Sequence, residues 1–236
     1  MRIFAIGDLH LPGGDDKPMQ IFGPQWEGHW EKIRSDWQSR VAPGDVVLIP
    51  GDISWAMHLE DAVPDLQQIG ALPGRKILLR GNHDYWWGAI TRVRDILPQG
   101  MYALQNDALQ MEGVTFCGSR GWSIPQGNQE GEDARLYARE LIRLRISLEQ
   151  ARRMSPTGYL VALTHFPPRG EGGAATPVSD LLEEFAVDDV VYGHLHGTSV
   201  KTAFTGEAGG VRYHFVSCDG LGFRLYEMQP KVETES

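Results

Sequence analysis

Short, almost wholly apolar runs of about four residues recur along the chain, each closed by Gly, Pro or Asp: 3–6, Val46–Ile49, 76–79, 114–117, Leu160–Leu163 and 190–192. Runs this short, apolar at every position rather than at every second one, predict strands buried on both faces. Between them the period becomes helical. Trp26, Trp30, Ile33, Trp37 and Val41 fall on one helical face, a stripe that reads as packing against a core. Residues 59–69 and 86–97 predict shorter helices. Glu132–Met154 predicts the longest, with Leu136, Leu141, Leu144, Leu148 and Ala151 along one side. Beyond Ser199 the pattern turns strand-like at 202–204, 211–217 and 223–228, with glycines between. Strands alternating with helices, followed by a run of strands, predict an α/β chain with a mixed sheet.

The pattern shows no internal repeat, and residues 1–236 read as one domain. Within it, the Gly-rich stretch 118–131 and the helix after it (118–154) form a candidate cap. A second Gly-rich loop spans 169–176, and the polar tail 230–236 is expected to fray.

Composition narrows the class. Hydrophobic residues at 42% and charged residues at 22% exclude a disordered chain. The formal charge of −9 argues against a nucleic-acid partner or an anionic membrane surface. Cys117 and Cys218 are too few for a disulfide framework or a thiolate zinc site, and a reducing compartment is the simpler reading. The first apolar run is too short for a signal peptide, and no run approaches a membrane span. The expected location is the cytoplasm. Oligomeric state is not legible.

The chemistry lies where the strands end. Five of the apolar runs lead into Asp8-Leu9-His10, Gly51-Asp52, Gly81-Asn82-His83-Asp84, Thr164-His165 and Gly193-His194-Leu195-His196. The carboxyl edge of an open α/β sheet is where ligands bind. Five of the eight histidines fall in these loops. In extended chain, residues two apart project to the same side, so Asp8 with His10 and His194 with His196 can each present two ligands to one focus. The glycines before Asp8, Asp52, Asn82 and His194 suit tight turns. Imidazole and carboxylate without thiolate suit borderline divalent ions. The seven ligating groups Asp8, His10, Asp52, Asn82, His165, His194 and His196 exceed one ion's needs and suit two ions with a shared carboxylate.

In order and relative spacing, these five blocks resemble the calcineurin-like metallophosphoesterase superfamily over residues 7–196. The resemblance implies two mixed β-sheets packed face to face, flanked by helices, with a binuclear metal centre at the strand ends. It implies that Asp8, His10 and His196 hold one divalent metal and Asn82, His165 and His194 the other, with Asp52 bridging. Mn or Fe is favoured, with Zn, Co or Ni as alternatives. Asn82 and His83 would face a small phosphorylated substrate. A metal-bridging hydroxide would attack phosphorus while His83 protonates the leaving oxygen. Trp55 stands where purple acid phosphatases carry a Tyr ligand. Ile53-Ser54-Trp55-Ala56 and Asp84 depart from the phosphoprotein phosphatases, and His83 replaces the Arg of the diacylglucosamine pyrophosphatases. What remains is closest to bacterial phosphohydrolases. The expected activity is phosphoesterase, with phosphodiesters slightly favoured over monoesters. The other classes are a non-catalytic scaffold of the same fold, and a nuclease acting with a partner.

Several residues have plainer expected roles. Asp84 reads as the cap of a helix starting near Trp86, or else as an orienter of His83. Arg80 reads equally as a phosphate contact or a surface ion pair. Arg135, Arg139 and Arg143, interleaved with Glu132, Glu140 and Glu149, read as salt bridging on the long helix, with an anion-binding cap as the alternative. His29, His58 and His214 lie outside the motif.

Overall fold

In the computed structural model, residues 1–14, 19–125 and 131–230 are described. Among these residues, eleven strands form two sheets. The first contains β1 (Ile3–Ala5), β2 (Val46–Ile49), β3 (Arg75–Leu79), β4 (Met101–Leu104) and β11 (Tyr226–Met228), in the order β11-β1-β2-β3-β4. The second contains β5 (Ala108–Met111), β6 (Val114–Gly118), β7 (Leu160–Leu163), β8 (Asp189–Tyr192), β9 (Gly206–Ala208) and β10 (Val211–Phe215), in the order β5-β6-β7-β8-β10-β9. The strands β1 to β4 run parallel, as do β6, β7, β8 and β10, while β11, β5 and β9 pair antiparallel. This is the expected sandwich of two mixed sheets.

Three buried layers explain why the strands are apolar at every position. Ile3, Ala5, Val46, Leu48, Ile77 and Leu79 meet Phe116, Val161, Leu163 and Val191 between the sheets. The alternate residues Phe4, Val47, Ile49 and Leu78 face outward. They are covered by α1 (His29–Arg40), α2 (Leu59–Gly70) and α3 (Ile90–Ile96), through Ile33, Trp37, Leu66, Ile69 and Val93. On the other side, Cys117, Ala162 and Val190 pack under α4 (Glu132–Met154) and α5 (Pro177–Glu184), through Leu144, Leu148 and Leu182. A parallel sheet covered on both faces needs apolar residues at every position. No helix among the described residues is long and apolar enough to cross a membrane.

The departures from expectation have local causes. The helix predicted over 86–97 begins only at Ile90, because the indoles of Trp86 and Trp87 are drawn to Asp84 and Gln105. Asp84 therefore caps no helix. Trp26 lies outside α1, because Gly28 turns left-handed at φ 59°. Residues 202–204 are not a strand: a 3₁₀ turn spans Gly197–Thr202 and the strand is β9. The helix α5 was not anticipated, although its Thr176 and Ser179 form a reciprocal N-terminal cap. The tail from 231 and positions 126–130 of the loop 118–131 lie outside the described residues.

Because Phe116 is fully buried between the sheets, Phe116→Ala is expected to cost about 3–5 kcal/mol in urea unfolding. Ile142→Ala, on a side chain 63% exposed, should stay within about 0.5 kcal/mol. Equal effects would contradict the layer assignment.

Candidate metal centre

The parallel strands deliver their carboxyl ends to one edge of the sandwich, and the seven expected ligand residues lie in the loops there. These loops are tightly wound. Asp8, His10, Asp52 and His194 all have positive φ, at 59°, 45°, 53° and 74°. Non-Gly residues in that region are uncommon and concentrate at functional sites. Two neighbouring glycines serve close approach rather than turning. A Cβ on Gly81 would lie 2.1 Å from Asp52 Oδ1, and one on Gly193 would lie 2.2 Å from Asp8 Oδ2.

Asp84, completely buried, holds the loops together. Its carboxylate accepts the N–H groups of Gly81 (2.7 Å), Asp52 (2.9 Å), Ile53 (2.8 Å) and Ser54 (3.2 Å), and the indole N–H of Trp86 (3.0 Å). The loops after β2 and β3 thus share one anchor. The His83 N–H then donates to Asp52 Oδ1 at 2.8 Å, leaving Oδ2 to face the histidines.

Two donor sets surround that oxygen. Asp8, His10, Asp52 and His196 place one donor atom each within 4.8 Å of one another. His196 Nε2 lies 3.3 Å from Asp8 Oδ1 and 3.4 Å from His10 Nε2. In the second set, Asn82 Oδ1 lies 2.6 Å from His165 Nε2 and 2.9 Å from His194 Nδ1, and the two imidazole nitrogens are 3.3 Å apart. His165 Nδ1 lies 3.0 Å from the Pro50 carbonyl oxygen, so it carries the proton. His165 Nε2 then turns a lone pair toward the Asn82 oxygen. Lone pairs converging in this way repel one another unless a proton or a cation sits among them, so this donor set fits a metal.

The first set fits as well. Asp219 receives the Nδ1–H of His196 at 3.0 Å and the Gly197 N–H at 3.0 Å, which turns His196 Nε2 inward. Asp219 was not anticipated, since it follows the last motif with no ligand-like spacing of its own. The His10 ring is stacked on Trp55, with centroids 4.8 Å apart, and the His194 ring packs on Phe166 at 4.2 Å. His29, by contrast, lies against the Leu9 carbonyl, and His214 pairs with Asp189.

Charge within the cluster is unevenly held. Burial would raise the Asp8 carboxyl, but the hydrogen bond from His196 and the positive charge of that ring keep it well below its usual range. Burial, with Asp8 and Asp84 nearby, pushes Asp52 up to about 7 against the influence of His165. Burial works against the His196 imidazolium, yet hydrogen bonds to Asp219 and Asp8 raise its pKa to about 10. Burial lowers His10 strongly, and burial lowers His194 to about 4. His10 and His194 therefore offer neutral nitrogens near pH 7.

Beside the first set, a cavity of about 430 Å³ is walled by Met19, Phe22, Trp26 and Trp55, with His10, His83 and His196 at its inner end. His83 is half-buried, its ring 4.6 Å from that of Trp55. Trp26 is thus part of the cavity wall rather than only of a packing stripe.

No curated protein matches the chain in sequence. Among solved structures, the chain is similar to the phosphopantetheinyl hydrolase of Mycobacterium tuberculosis, at 16% identity over 100% of this chain and 98% of that one, with a TM-score of 0.62. A protein from Thermus thermophilus is similar at 13% identity, over 97% and 98% of the two chains, with a TM-score of 0.56. A protein of unknown function from Aquifex aeolicus is similar at 16% identity, over 96% and 95%, with a TM-score of 0.50. At these identities the likeness establishes the fold. The model of the calcineurin-like phosphoesterases matches residues 1–198, which is most of the chain and every strand-end loop from Asp8 to His196, and the chain belongs to that family.

Proposed function

We propose that the centre holds two divalent cations and hydrolyses small phosphate esters, with phosphodiesters slightly favoured over monoesters. Asp8, His10 and His196 would hold one cation, and Asn82, His165 and His194 the other. The position of Asp52 Oδ2 carries this conclusion: it lies 3.7 Å from His10 Nε2 and 3.5 Å from His165 Nε2, so one oxygen faces both donor sets. Imidazole and carboxylate donors suit Mn, Fe, Zn, Co or Ni. Bound cations supply Lewis acidity toward the phosphoryl oxygens and toward the attacking water.

The chain's own residues do the rest. The backbone of His83 is fixed on Asp52, and its ring stands at the inner end of the cavity. From there it would donate a proton to the departing oxygen, with Asn82 beside it against the phosphoryl group. Burial lowers the pKa of His83, whereas a negatively charged phosphoryl group alongside favours the protonated ring. The apolar wall of Met19, Phe22, Trp26 and Trp55 suits the organic part of an ester. The diester preference rests on His83 as an acid for a poor leaving group and on the Asn82-His83-Asp84 block.

With Mn²⁺, turnover of bis-p-nitrophenyl phosphate is expected to exceed that of p-nitrophenyl phosphate. The reverse order would make the protein a monoesterase, and failure to turn over either ester would count against an enzyme.

His83→Ala should retain bound metal and lose about 10²–10⁴-fold in kcat, with a smaller loss on esters of acidic leaving groups. Asp52→Asn should lose metal and turnover together, as metal analysis of both variants would show. A His83→Ala protein stripped of metal would contradict the acid role.

Metal uptake must displace protons from His196 and from part of the Asp52 population, whose pKa values stand at about 10 and about 7. Protons and metal compete for the same atoms, so affinity should fall as pH drops below about 10, where His196 gains its proton, and more steeply below about 7, where Asp52 does. Calorimetry in buffers of different ionisation heat should register proton release on Mn²⁺ binding. Release of none would contradict these protonation states.

A further inference from the structure

We propose that Arg80, Arg120, Arg139 and Arg143 form a subsite for a second anionic group of the substrate, a compact oxyanion such as a phosphoryl group. This inference rests on the phosphoesterase reading of the centre and names the class of ester it takes.

Arg80 immediately precedes Gly81-Asn82. Arg120 follows β6, and its carbonyl accepts the N–H groups of His165 at 3.0 Å and Phe166 at 3.2 Å. Both are therefore tied to the loops that carry the second donor set. Arg139 and Arg143 stand one turn apart on α4. The four side chains share the field of one carboxylate, Glu140, which is only 3% exposed.

Glu140 does not balance them. Arg143 pairs with it at 2.6 Å and Arg139 approaches to 3.9 Å. Asp84, the other carboxylate near Arg80, is already occupied by its five N–H donors. Arg80 makes no ion pair among the described residues, and its Nε is buried without a partner. Arg120 lies over the Trp122 ring at 4.7 Å. Trp122 packs on Phe166 at 5.5 Å and Phe166 on His194 at 4.2 Å, so an aromatic column links the arginines to the centre. Four guanidinium groups around one carboxylate leave an excess of positive charge that an anion among them would relieve. Guanidinium forks match phosphoryl geometry bidentately. Salt bridging by the helix, the plainer expectation, accounts for Arg143 but not for Arg80 or Arg120.

The test compares two diesters with the same p-nitrophenyl leaving group, one carrying a propyl arm and the other a 3-phosphonopropyl arm. The phosphonate-bearing ester should show a KM lower by about tenfold or more, the size of a charge-assisted contact. That ratio should collapse toward one in Arg120→Gln and Arg139→Gln, and persist in Arg135→Gln on the exposed flank of the same helix. In parallel, propylphosphonate is titrated calorimetrically into EDTA-treated protein. Saturable binding that disappears in Arg120→Gln is expected. Equal KM values for the two esters, or no such binding, would overturn the subsite while leaving the phosphoesterase reading intact. Absence of turnover with metal bound would overturn that reading instead, and the calorimetry would still decide the subsite.

Discussion

A single buried carboxylate sets the geometry of the centre. Asp84 gathers N–H groups from the loops after β2 and β3, and those loops carry Asp52, Asn82 and His83. An ionised group buried without donors would be costly, and one saturated by N–H donors is strongly held. This anchor keeps Asp52 in a left-handed conformation and directs one of its oxygens to His83 N–H and the other to the histidines. If the anchor were lost, the two donor sets would have no fixed common member.

The surrounding structure removes the freedom that remains. Rings of Trp55 and Phe166 lie against His10 and His194. The Pro50 carbonyl and Asp219 take the outer N–H groups of His165 and His196, which fixes the tautomer of each. The missing Cβ atoms of Gly81 and Gly193 leave room for the carboxylates of Asp52 and Asp8. Each is a constraint on direction rather than a large contribution to stability. Together they aim the donor atoms inward, where protons or cations must lie between them.

The gathering of candidate ligand residues at the strand ends and the sandwich were legible in sequence because both depend on local signals. Apolar strands ending in His, Asp or Asn are visible one strand at a time, and the parallel order then brings the ends together. Asp84 and Asp219 were harder, since their partners lie up to 32 and 23 residues away and depend on how loops cross. Asp84 resembled a helix cap because acceptor chemistry is the same whether the N–H groups belong to one helix or to two loops. Trp26 fitted a helical stripe by spacing, yet the left-handed Gly28 detaches it and aims it at His10 and His196. Arg80 was ambiguous for a related reason: its neighbours Arg120, Glu140 and Arg143 come from distant segments.

The two sides of the centre differ in a way that gives a bound ester a direction. On the side of His10 and His196, indoles and Phe22 line a cavity with His83 at its inner end. On the side of His165 and His194, Phe166 and Trp122 lead to guanidinium groups. Apolar surface rewards removal of organic groups from water, while half-buried cations reward an anion that replaces their lost hydration. A substrate reversed end for end would place charge against indole and hydrocarbon against guanidinium, forfeiting both gains. The leaving group would therefore lie on the His83 side, where a proton is needed. The chain's net charge of −9 opposes anions at long range, so recognition of an anion would have to be built locally, at the centre and beside it.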